Sequence, residues 1–171
     1  MSKIAAAGES LRATWRTNHR VTCFLVERLP ADLWPLPVPG VPRRTVRTIA
    51  GHMHNARCVW LRMLGRGTGL RVPARVDLGT VSQRQLLAAL ERSSKVMLQL
   101  FDRCLASGGS LPSRPAWMNL PNDVTHLVVY LIAHEAHHRG QICLAARQLG
   151  HRLPVDVTGG LWQWSKRAKE A

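Results

Sequence analysis

Apolar residues recur at helical spacing in four long stretches of this chain, and nowhere do they alternate long enough to predict a strand. The first stretch runs from about Glu9 to Leu29, with Leu11, Trp15, Thr22, Leu25 and Leu29 on one stripe. Pro30 closes it, because its ring and missing N–H cannot continue the helical ladder. Pro35, Pro37, Pro39, Gly40 and Pro42 then make a connection too rich in proline for a helix or a central strand. The second stretch runs from Thr45 to Leu64 and stops at Gly65-Arg66-Gly67-Thr68-Gly69. The third runs from about Val81 to Ser107. It opens on Ser82 with Gln85 three residues on, a capping-box pattern, and ends at Gly108-Gly109. The fourth spans roughly Asn122 to Leu149, with Asn122 after Pro121 as the expected N-cap and Gly150 as the stop.

Four helices of about 20 to 28 residues joined by polar loops predict an all-α protein, a four-helix bundle with long loops. Leu161-Trp162-Gln163-Trp164 is expected to pack as a short fifth helix. The length suits one domain with a proper core, and no internal repeat or second domain is legible, so residues 1–171 are expected to form a single unit.

The fourth stretch carries the chemistry. His134-Glu135-Ala136-His137-His138-Arg139-Gly140-Gln141 sets three imidazoles inside an otherwise apolar helical pattern. His134 and His138, four residues apart, project from one face of a helix and can grip one transition-metal ion. They continue Leu127 and Leu131 toward Ile142 and Ala145, so both are expected to face the bundle interior, whereas His137 is rotated away with Tyr130 and Leu144. In the second stretch the core stripe is Ile49, His52 or Met53, Ala56, Val59 and Met63, while His54 falls with Arg47, Arg57 and Leu61 on a more polar side. Helical phase therefore points to His52, His134 and His138 as the metal ligands. Two unpaired imidazoles buried together are costly without such a partner. His126 and His151 are expected to be surface or capping groups.

His134-Glu135-x-x-His138 also satisfies H-E-x-x-H, the peptidase signature in which the glutamate is the general base. The metzincin extension needs Gly and His three and six residues further on, where this chain has Gln141 and Leu144. The downstream glutamate of the alternative peptidase class would have to be Glu170 in the tail, so a peptidase is not expected. Glu135 is left either as a base or as a solvent-facing neighbour of Arg139.

Composition narrows the picture further. Hydrophobic residues at 46% exclude a disordered chain, and no apolar run is long enough to cross a membrane. The N-terminal stretch lacks the apolar run of a signal peptide, so a cytoplasmic location is expected. Cys23, Cys58, Cys104 and Cys143 fall one to each helical stretch with no C-x-x-C pair, and read as core thiols; Cys58 stands out for its nearness to a candidate ligand. The net charge of +14 raises nucleic acid as a partner, but the arginines are spread along the chain, Arg43, Arg44 and Arg47 being the densest group. With aromatics at 5% and no stacking platform, a nucleic-acid partner is not favoured.

The chain resembles the DinB/YfiT-like superfamily of metal-dependent four-helix bundles. Gly51-His52-Met53-His54-Asn55-Ala56-Arg57 and His134-Glu135-Ala136-His137-His138-Arg139-Gly140-Gln141-Ile142 carry the likeness, which extends through Ala146-Arg147-Gln148-Leu149-Gly150 to Pro154 and Asp156. The resemblance implies a divalent metal, zinc or nickel, on three histidines. By motif position these are His52, His134 and His138, the triad that helical phase also picks out. It further implies a homodimer and, in similar members, transfer of a low-molecular-weight thiol such as bacillithiol or mycothiol to an electrophilic substrate.

The expected function is accordingly a metal-dependent thiol transferase, with Arg57 or Arg139 orienting the acceptor and Gln141, one turn past His138, bonding a ligand histidine. Gly140 costs its helix about 1 kcal/mol relative to alanine and suggests close approach of another backbone. The alternatives are a hydrolase using metal-activated water, and a DNA-damage or stress-response binding module with a structural metal.

Overall fold

The structure, a computed structural model, describes residues 3–113 and 119–171. Four long helices form, α1 Lys3–Arg28, α2 Val46–Leu64, α3 Gln83–Ala106 and α4 Val124–Gln148, followed by the short α5 Val155–Gly160 and α6 Trp164–Glu170. The one β-type pairing among the described residues is the isolated bridge between Pro37 and Thr45. The all-α bundle is thus the fold. None of the described helices is long and apolar enough to cross a membrane.

Local sequence explains most helix ends. Ser82 accepts from the Gln85 N–H while Gln85 answers the Ser82 N–H, the capping box its spacing predicted. Thr45 and Thr48 make the same reciprocal pair at the start of α2. At α4 the cap shifts by one residue. Asp123, not Asn122, accepts from the His126 N–H, because the Asn122 amide oxygen is engaged by the Leu111 N–H in the preceding loop. Helix α1 begins several residues before Glu9. The tail differs more: Leu161 and Trp162 form a turn between two short helices, and only Trp164 of the expected tetrad is helical.

The core is split into two apolar clusters by a polar layer. One cluster gathers Phe24, Leu25, Trp34, Met53, Leu90 and Ile142, and the other Trp15, Leu61, Leu64, Phe101, Leu127 and Leu131. Between them each long helix contributes buried polar residues: Asn18 and Thr22, Arg57, Ser93 and Ser94, then Glu135 and Arg139. Helix α2 packs against both α3 and α4, so two of its faces are buried. Gly51 lets the α2–α3 connection cross beside His52, since a Cβ there would lie 2.7 Å from the Leu78 methyl. That crossing holds one wall of the site next to its histidine.

Candidate metal centre

His52 on α2 and His134 and His138 on α4 converge where these helices pack, their ligating nitrogens all within 4.8 Å of one another. His52 Nε2 stands 3.3 Å from His134 Nε2, and His138 Nε2 stands 3.1 Å from the same atom. Two nitrogens at about 2.0–2.1 Å from a shared ion with tetrahedral angles would be about 3.3 Å apart, so the cluster has the spacing of a metal-ligand set. The rings meet edge-on or tilted, which points lone pairs inward instead of stacking faces.

Gln141 fixes one of these lone pairs. Its amide NH2 donates to His137 Nε2 at 2.9 Å, which leaves its carbonyl oxygen to accept from His138 Nδ1 at 2.8 Å. With the proton held on Nδ1, His138 Nε2 is unprotonated and aimed into the cluster. His137 itself is exposed and sits outside the triad. Tyr130 lies nearly parallel to His134, at 6.3 Å between ring centroids, and walls the other side.

Burial, together with the neighbouring imidazoles and Arg44, keeps the triad neutral. His134 is pushed down to about 4, first by loss of water and then by His138 and His52. His52 is lowered by burial, His138 and Arg44; His138 is lowered by burial, although its bond to Gln141 opposes the shift. Neutral imidazole is the form that binds metal.

The same shifts make the metal-free protein acid-sensitive. His134 is unprotonated in the fold but ordinarily titrates near 6.5, so below that pH the unfolded chain takes up a proton the fold refuses. Stability is therefore full above pH 6.5 and is lost as the pH falls toward about 4. We expect a loss of ~1–2 kcal/mol from this ring, less than the raw shift implies because it is partly exposed. Urea unfolding of chelated protein between pH 7.5 and 4.5 measures it; a midpoint that does not move across this range contradicts the assignment.

Several residues lie elsewhere than their sequence positions suggested. Glu135 neither faces solvent nor reaches the histidine cluster as a base. It is 1% exposed and accepts from Arg57 Nε at 2.6 Å, Arg57 Nη2 at 2.9 Å, Asn18 at 2.9 Å and Thr22 at 2.8 Å. Burial alone would raise its carboxyl, but the Arg57 guanidinium outweighs this and holds it below the ordinary range. Arg57 spends its third nitrogen on the Leu90 carbonyl and His19, and lies over the Trp15 ring. Arg139 donates to Asn18 and Thr22. Neither arginine is brought to the His52, His134 and His138 cluster, because both are drawn to the buried Glu135 carboxylate.

The cations at the mouth are Arg43 and Arg44, which with Thr48, Ile49 and Leu78 border a cavity of about 310 Å³ ending on His52. Arg43 is the only non-glycine described residue at positive φ, 61°, a conformation that costs roughly 1–2 kcal/mol and sets Arg44 beside the triad. His54, expected on a polar side, is fully buried between Ser93 and the Ala74 carbonyl, with Cys58 against its ring. It faces α3, away from α4, and Cys58 with it. Asn18 and His19 carry no expectation from the sequence, and Thr22, expected on the core stripe, joins them in the polar layer. Their signal was a polar run on α1 in phase with Trp15 and Leu25.

A family model described as the DinB family matches residues 1–168, nearly the whole chain. A comparison with curated proteins finds no match. With the helical bundle and the clustered histidines in hand, the match over this span places the chain in the DinB family.

Proposed function

We propose that this protein is a metal-dependent transferase in which His52, His134 and His138 hold one zinc or nickel ion and a low-molecular-weight thiol reacts there with an electrophilic acceptor. The observation that carries the reading is the convergence of three imidazole nitrogens at ligand spacing, with Gln141 fixing the tautomer of one. A divalent ion held by three neutral ligands keeps its full charge and acidifies a thiol or water that joins it.

Three ligands leave a position for a substrate, whereas a closed structural zinc site takes four. Among the described residues no cysteine or carboxylate completes this group, which weighs against a purely structural metal. Cys58 belongs to the His54 pocket on the other face of α2. Hydrolysis uses the same open position, but Glu135 is locked to Arg57 and cannot serve water as a base. A thiol, more acidic than water from the outset, needs no such base. Arg44 at the mouth favours an acceptor with negative charge, and Tyr130 offers it an aromatic wall.

The test is thiol-dependent consumption of an electrophile such as 1-chloro-2,4-dinitrobenzene by zinc- or nickel-loaded protein, with bacillithiol, mycothiol and simpler thiols in turn. Conjugate formation that is abolished by chelation and by His52→Ala supports the proposal. Ester hydrolysis without thiol, and no conjugate with any thiol, would replace it with the hydrolase reading.

A further inference from the structure

A second cavity, of about 340 Å³, lies between α4 and the C-terminal segment, walled by Ala136, Gly140, Cys143, Leu161, Trp162 and Trp164. It shares no residue with the histidine cluster. Cys143 follows His134 by nine residues, roughly 180° round the helix, so the two sites occupy opposite faces of α4. The lining is apolar except for Thr158 and Arg139.

Arg139 is only 6% exposed, and its charge is incompletely answered. Nη1 donates to Asn18 at 3.0 Å and Thr22 at 2.7 Å. Its nearest approach to Glu135 is 3.8 Å, whereas Arg57 binds that carboxylate through two nitrogens at 2.6 and 2.9 Å. One carboxylate thus faces two guanidinium groups, and the polar layer carries a surplus positive charge in a poorly solvated place. Nε and Nη2 of Arg139 have no partner among the described residues, yet both keep some access to the surroundings. The side edge of the guanidinium therefore opens toward the cavity that Arg139 lines.

We propose that this cavity binds a small organic carboxylate with an aromatic or branched aliphatic body. The Nε and Nη2 donors are parallel and match the two oxygens of one carboxylate. A single surplus charge balances a single anionic group, and the tryptophan and aliphatic walls take an apolar body while excluding water. The volume suits a small ligand of this kind. Gly140 fits the same picture. The close approach of another backbone that its sequence position suggested is not found among the described residues; a Cβ there meets nothing within 4 Å and would project into open space.

The experiment is calorimetric titration of the full chain as purified with phenylacetate, indole-3-acetate and 4-methylpentanoate, each beside its amide. At least one acid is expected to bind saturably, about tenfold or more tightly than its amide, the difference that a hydrogen bond to a charged group supplies. Gly140→Leu should abolish that binding with the melting temperature unchanged or raised, since leucine fills the space and suits the helix. His52→Ala should bind like the parent, because the histidines lie on the other face. No acid preferred over its amide, binding retained in Gly140→Leu, or binding lost in His52→Ala would each overturn the proposal. The last result would move the ligand to the histidine cluster.

Discussion

Glu135→Ala is expected to destabilise the protein by about 3–5 kcal/mol, the cost of stranding buried charges whose partner has been removed. Glu135 is the one acidic group in the polar layer, and it receives four short hydrogen bonds from Arg57, Asn18 and Thr22. Without it, Arg57, which is 1% exposed, would face Arg139 across the layer with no counter-charge. Against a typical total of about 5–15 kcal/mol, such a loss leaves a marginal fold. Glu135→Gln should fall between, keeping acceptors while losing charge. The triple variant Arg57→Met, Glu135→Leu, Arg139→Met should recover much of the loss, because an apolar layer of similar volume has no desolvation to repay. Urea unfolding of the metal-free proteins measures all three. A cost below ~1 kcal/mol for Glu135→Ala would mean that water reaches the layer and screens it.

That layer is also where the sequence was hardest to read. Hydrophobic period identifies which side of a helix is buried, and it marks the four long helices and the shared inward side of His52, His134 and His138, while capping spacing marks Ser82 and Gln85. Local spacing carries no record of which inward polar group meets which across the bundle. Glu135 and Arg57 are 78 positions apart, and Asn18 and Glu135 are 117 apart. Their pairing is a product of packing. Helix α2 departs from the expected pattern for a related reason: a single apolar stripe describes one buried face, whereas this helix buries two, one on α4 with His52 and one on α3 with His54. Two histidines only two positions apart, roughly 200° round the helix, consequently serve different neighbours. The shift of the α4 cap from Asn122 to Asp123 is a competition between equivalent side chains that a loop contact decides.

Metal content should divide the histidines along the same line. Protein purified without chelator is expected to carry about one zinc or nickel per chain, and His138→Ala and His52→Ala should each carry almost none, since two imidazoles make a poor site where three make a good one. His137→Ala should keep its metal, because His137 is exposed and meets the site only at its margin, through the Gln141 amide and the edge of the His138 ring. His54→Ala should also keep it but lose roughly 2–3 kcal/mol of stability, having emptied a buried pocket and left the Ala74 carbonyl without its donor. Gln141→Leu lies between the classes. The three ligands remain, but Nδ1 of His138 loses its acceptor, and affinity should fall about 10- to 100-fold while the fold is kept. Elemental analysis and competition with a chromophoric chelator separate these cases. Full occupancy in His138→Ala would show that the metal rests on other residues, and loss of metal in His54→Ala with an intact fold would show that α2 presents the wrong histidine to α4. A graded Gln141 variant beside two empty and two full histidine variants is the pattern that only this triad produces.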